Sequence, residues 1–160
     1  MPSRPTKRAA EAMFRIGSQG VCAVGARSQV ILAWRSGWGF GSDGPYVPGL
    51  RRDVRRYGRY RGRRTAWVMI ADAGFDGQTV RADDLVPPVR RGGNLLHPER
   101  RARADLVAPA RRDGLVGQRW KSETVHSVIK RKFGDTLRSR KHSLQRREPI
   151  SKGLVYNVHR

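Results

Sequence analysis

Apolar residues gather in short runs in the first half of the chain and fall at helical spacing in the second. Val21 to Val24 and Val30 to Trp34 flank the polar Arg27-Ser28-Gln29, which predicts a β-hairpin from Gly20 to Trp34. The glycine-rich stretch Gly37 to Pro45 then breaks regular structure. Leu50, Val54 and Tyr57 recur at spacings of four and three and predict a helix, with Arg51, Arg52, Arg55 and Arg56 on its other sides, facing solvent or gripping a DNA backbone. Thr65 to Ala71 is a mostly apolar run that reads as a strand buried on both faces and ends at Asp72. Leu85-Val-Pro-Pro-Val89 is extended, because proline excludes helix, and belongs at a sheet edge.

Residues 90 to 115 combine many arginines with scattered Gly and Pro and read as a long basic loop. The clearest helix follows, Gln118 to Phe133, with Gly134 where a C-terminal cap belongs. A last helix is predicted from about Glu148 to Val158. Residues 1 to 19 lack apolar periodicity and form a basic arm, so the predicted organisation is an arm followed by one domain over 20 to 160.

Charge changes this picture most. The chain of 160 residues carries 34 Lys and Arg against 13 Asp and Glu, a formal net charge of +21. Such self-repulsion is relieved by a polyanion whose condensed counterions are released on binding, which makes nucleic acid the leading partner. The apolar run after Gly20 is too short and glycine-broken for a signal peptide, no run is long enough to span a bilayer, and the basic residues are dispersed, so a membrane is not the expected partner. Cys22 is the single cysteine and reads as a small buried residue; a reducing cytosol, and the nucleoid when bound to DNA, suits such a chain.

Two places carry candidate chemistry. On the helix from Gln118, Arg119, Glu123, His126 or Ser127, and Lys130 share one face, while Val125, Val128, Ile129 and Phe133 form another. A carboxylate flanked by cations can serve a phosphate site or simply be paired within the helix. Asp72 follows an apolar run and precedes Gly74, where the carboxyl edge of a sheet exposes side chains, although aspartates there also cap turns; Asp76 is the alternative cap.

Ala71-Asp72-Ala-Gly74-Phe75-Asp76, followed by Arg119-x3-Glu123-x6-Lys130, resembles the bacterial insertion-sequence DDE transposases. Their signature is Tyr-x2-Arg-x3-Glu-x6-Lys, preceded by an Ala-Asp-x-Gly-Tyr-Asp strand end. Ser28 to Ala33, Gly39 to Asp43, Lys132-Phe-Gly134 and Tyr156-Asn157 extend the likeness over about residues 20 to 160. The resemblance implies an α/β, RNase H-like mixed sheet flanked by helices, with three carboxylates holding two magnesium ions that act in line on a phosphodiester. On it Asp72 and Glu123 are the second and third acids and metal ligands. Arg119 and Lys130, with the adjoining Arg131 and Lys132, would hold phosphate of double-stranded DNA. Dimeric action on paired transposon ends is also implied.

Two departures stand out. The signature tyrosine falls at Val116, and the first acid falls at Gly25, since no Asp or Glu lies between Glu11 and Asp43. Loss of that ligand should collapse cation affinity, so a degenerate copy is expected, one that also lacks the N-terminal DNA-reading segment of the family. Asp43 is a weaker substitute for the third acid. The competing reading is a non-catalytic RNA- or ribosome-associated module, with Trp34, Trp38, Tyr57, Tyr60 and Trp67 as stacking candidates. A zinc site is excluded by the wide separation of His97, His126, His142 and His159.

Overall fold

The structure, a computed structural model, describes residues 18–38, 42–60, 68–77, 80–89 and 98–160. Residues 1–17 of the basic arm, most of the run at Thr65, the first part of the expected basic loop and His97 lie outside the described residues, while Ser18 and Gln19, assigned to the arm by sequence, belong to the first strand. Within them the protein is mixed α/β, with a two-stranded antiparallel sheet and four α-helices.

Strand β1, Ser18–Val24, pairs with β2, Ile31–Trp38, as the two apolar runs predict. The register slips between Ala23 and Val24, so that Ala23 faces Ala33 but Val24 faces Ile31. The extra residue, Leu32, reverses which face later side chains of β2 occupy. Ala33 therefore packs with Val21, Leu50 and Val54 on one side, whereas Ile31 packs with Val125, Ile129 and Tyr156 on the other. A hairpin covered on both faces explains why its strands read as apolar runs and not as strict alternation.

Helix α1, Val47–Tyr60, covers the first face. Its buried stripe takes in Val47, Leu50, Arg51 and Val54, and the Arg51 guanidinium pairs with the fully buried carboxylate of Asp84. This corrects the placement of Arg51 among solvent-facing arginines. Arg52, Arg55 and Arg56 are exposed as predicted.

The run ending at Asp72 is not a strand among the described residues. It contributes one parallel bridge, Ile70 to Leu85, and Val68 is 48% exposed, so burial on both faces fails there. Leu85 and Val86 are buried, and Leu85 forms that bridge.

The long basic loop is also corrected, because Pro98–Arg112 is a helix, α2. Pro98 opens it, Glu99 lies in its first turn and Arg111 and Arg112 in its last, all favourable positions for the helix dipole. Pro109 inside it is what makes the sequence read as irregular.

Helix α3, Trp120–Phe133, follows a 3-10 turn over Val116–Arg119 and closes at Gly134, whose φ of 79° suits glycine. Helix α4, His142–His159, starts earlier than its sequence pattern because Pro149 lies within it. Gly153 lets α4 settle on β2: a Cβ there would meet Trp34 Cε3 at 3.2 Å and Ile31 Cδ1 at 3.3 Å. No helix among the described residues is long and apolar enough to cross a membrane.

Candidate active site

Asp72 is held where the extended segment leaves its bridge. Leu85 N donates to Met69 O at 2.9 Å and Ala71 N to Leu85 O at 3.4 Å, which fixes the backbone up to Asp72. Asp72 then caps a short 3-10 turn, Ala73–Phe75, its Oδ1 accepting from Gly74 N at 2.9 Å. The capping role is therefore real, but Oδ2 remains free of the turn and the side chain is half exposed.

Asp76 is not the alternative cap. Its carboxylate is buried, accepts from Val89 N at 2.8 Å and pairs with Arg103 at 2.6 Å and Arg100 at 3.2 Å, tying α2 to this segment. Burial alone would raise its pKa, but the Val89 amide and the two guanidiniums outweigh that and hold it below the ordinary aspartate value.

Glu123 enters from the first turn of α3. Arg119 Nη1 stands 2.9 Å from Glu123 Oε1 and 3.7 Å from Asp72 Oδ2. One guanidinium nitrogen thus lies between carboxylates 51 positions apart in sequence, and the two oxygens can be no further apart than the sum of those distances. The same helix start reaches the hairpin turn, since Lys121 Nζ donates to Ala26 O at 2.7 Å.

Gly25 sits in that turn. Its N donates to Val30 O at 2.9 Å and its O accepts from Gln29 N at 2.7 Å, with Gln29 at φ 55° completing the reversal. Tyr156 Oη donates to Gln29 O, and the Asn157 amide both accepts from Ile31 N and donates to Ile31 O, so α4 clamps the turn from the other side. The fold thereby brings Asp72, Glu123, Arg119 and the Gly25 turn around one end of α3.

Other predicted residues lie elsewhere. Lys130, Arg131 and Lys132 are exposed in the last turn of α3, roughly 10 Å along the helix axis from Glu123. His126 turns inward instead of sharing the polar face. Its Nε2 is 3.3 Å from Cys22 Sγ and its ring lies 5.8 Å from that of Trp34. Burial, then Lys130, lowers the His126 pKa, and burial pushes the Cys22 thiol up to about 12, so the pair is neutral and packs as part of the core. Ser127 takes the exposed position. Val116 is half-buried in the 3-10 turn, and Asp43 leads into the turn at Gly44–Tyr46.

Sequence reasoning missed Lys121 and the Asn157 clamp. Lys121 carries no distinguishing signal among 34 cations. Asn157 was marked only by its place beside Tyr156.

The donor set does not fit a two-magnesium centre. Two carboxylates are present and a cation already contacts both, while Gly25, where the resemblance puts the first acid, has no side chain. No cluster of three or more His, Cys, Asp or Glu residues suited to a metal occurs among the described residues. The arrangement lacks the ligands to activate water on a shared cation pair. Compared with known proteins, the chain matches no family model, no curated protein and no solved structure.

Proposed function

We propose that this chain is a double-stranded DNA-binding protein of DDE-transposase descent, built on an RNase H-like core whose cutting centre has become an ion-pair cluster. The observation that carries the reading is the Arg119 guanidinium lying between Asp72 and Glu123, the residues that the family signature marks as acids. The parallel bridge of Ile70 with Leu85 and the tie from Lys121 to Ala26 support the same ancestry, since they set Asp72, α3 and the Gly25 turn side by side. Gly25 removes the ligand that both cations would share, and the charge of +21 is left to serve binding.

A base-stacking RNA module fits the observations less well. Its aromatic platform would need an open sheet face, but both faces of the hairpin are covered by helices. Trp34 packs in the core and Tyr57 stands on α1; Trp67 and the side chains of Trp38 and Tyr60 lie outside the described residues.

The test is magnesium-dependent nicking of supercoiled plasmid by the full chain, by Gly25→Asp and by Glu123→Gln. The unaltered chain should bind DNA yet nick no faster than Glu123→Gln. Gly25→Asp should cut above that background, because an ordinary rotation of the Ser28 hydroxyl, 2.8 Å from a Cβ at this site, makes room for the carboxylate. Robust cutting by the unaltered chain, abolished in Glu123→Gln, overturns the proposal.

A further inference from the structure

The first turns of α4 lie along β2 at the end of the hairpin remote from Gly25, and a cavity of about 380 Å³ opens between them. Trp34 and Ile150 form its apolar part, and Ser36, Ser143, Arg146 and Arg147 its polar part. Positions 143, 146, 147 and 150 recur at helical spacing, so one face of α4 presents them together. Ser36 Oγ donates to Arg146 O at 2.9 Å and fixes the helix backbone against the strand without engaging the Arg146 side chain.

The charge at this site is unfavourable for folding. Lys141 stands at the N-cap with no capping hydrogen bond from its side chain, no acid lies in the first turn, and two arginines follow. Helix N-termini carry partial positive charge and favour acids there. The single carboxylate of α4, Glu148, does not compensate. It accepts from Arg138 N and Ser139 N at 2.9 to 3.1 Å and pairs with Lys152 at 3.3 Å, contacts that overcome the effect of burial and hold its pKa near about 2. Among the described residues Arg146 and Arg147 have no ion pair. Guanidiniums without an ion pair, on the rim of a cavity and one turn from a helix start that carries no acid, present donors for an anion.

We infer that this cleft between β2 and α4 seats a phosphate of the DNA backbone, with Arg146 and Arg147 as its charged donors and Ser143 beside them. The inference rests on the DNA-binding reading above and adds a second anchor.

The experiment compares the full chain with Arg146→Ala/Arg147→Ala and with Arg55→Ala/Arg56→Ala, which removes equal charge from exposed positions on the opposite face of the hairpin. Fluorescence anisotropy with a labelled 20-base-pair duplex is read across salt concentration. The α4 pair should weaken binding roughly tenfold and lower the slope of log affinity against log salt by about one, the share of the single seated phosphate, while the α1 pair changes affinity less than about threefold. Equal losses in both pairs, or a slope unmoved by the α4 pair, overturn the inference alone. Failure of the unaltered chain to bind duplex DNA overturns both readings, and tighter binding to RNA of equal length reassigns the cleft to that polymer. Unchanged circular dichroism in both pairs establishes that folding is not what is being read.

Discussion

At Asp84 a fully buried carboxylate receives the Arg51 guanidinium, Arg81 N at 2.7 Å and Met69 N at 3.2 Å. Its charge is therefore neutralised wholly within the protein, and Arg51 depends on it in turn. Asp84→Ala removes a buried anionic partner of Arg51 and the acceptor of two amide donors, a loss on the order of 3–5 kcal/mol. Against a total stability of roughly 5–15 kcal/mol for a domain, this should leave the fold marginal. Urea unfolding followed by circular dichroism checks it, and an unfolding free energy within about 1 kcal/mol of the unaltered chain would rule out the buried pair as a fold determinant. The sequence conceals this pair for a physical reason. Arg51 follows Leu50 in a stripe made wide by Val47, and nothing local marks Asp84, 33 residues on, as its partner. The Arg119–Glu123 pair, by contrast, is legible because it spans one helical turn; only its third member, Asp72, needs the fold. The sequence leaves His126 and Ser127 as alternatives for the polar face, and only the fold decides for Ser127, because Cys22 and Trp34, which draw His126 inward, come from the hairpin.

Among the elements, those with uninterrupted apolar patterns were legible and those containing proline were not. The hairpin, α1 and α3 with its glycine cap form where their patterns place them, although β2 continues through Gly37 and Trp38, where the glycines predict a break. In α2 the start and end signals are present, from Pro98 and Glu99 to the arginines of the last turn, but Pro109 contradicts them. The helix survives because Val107 and Ala110 are buried, Arg103 holds Asp76, and its end is secured by bonds from Asp113 N to Pro109 O and Leu115 N to Ala110 O. Tertiary contact thus overrides a local penalty of about 3 kcal/mol for proline in a helix interior. Pro109 is exposed, so alanine there leaves no buried void. Pro109→Ala should stabilise the protein by about 1–3 kcal/mol, less a fraction returned through the freer unfolded chain. At roughly 2–4 °C per kcal/mol for a chain of this size, thermal melting should shift upward by several degrees. A downward shift would mean that the ring makes a contact worth more than the missing hydrogen bond.

For the whole molecule the governing quantity is charge that the fold cannot neutralise. Even if each of the 13 acids held one cation, 21 of the 34 would remain. Six acids hold cations within 4.0 Å in the described residues, and four of them, Asp53, Asp72, Asp76 and Asp84, join segments well separated in sequence. The carboxylates are thus engaged in structure, leaving the excess cations to repel one another. That repulsion falls as salt shortens the screening length from roughly 30 Å at 0.01 M to about 8 Å at 0.15 M. The melting temperature should accordingly rise with sodium chloride over this range, the reverse of what a fold sustained chiefly by its surface ion pairs would do. Duplex DNA should act further, because it supplies counter-charge and binds only the folded arrangement of cations with full affinity. At a hundredfold excess over Kd the linkage is about 2.7 kcal/mol, or a rise of roughly 5–10 °C. Heparin, a flexible polyanion without duplex spacing, should raise the melting temperature less at equal charge concentration. Equal stabilisation by heparin and duplex would show that the cation pattern is diffuse and carries no imprint of DNA geometry.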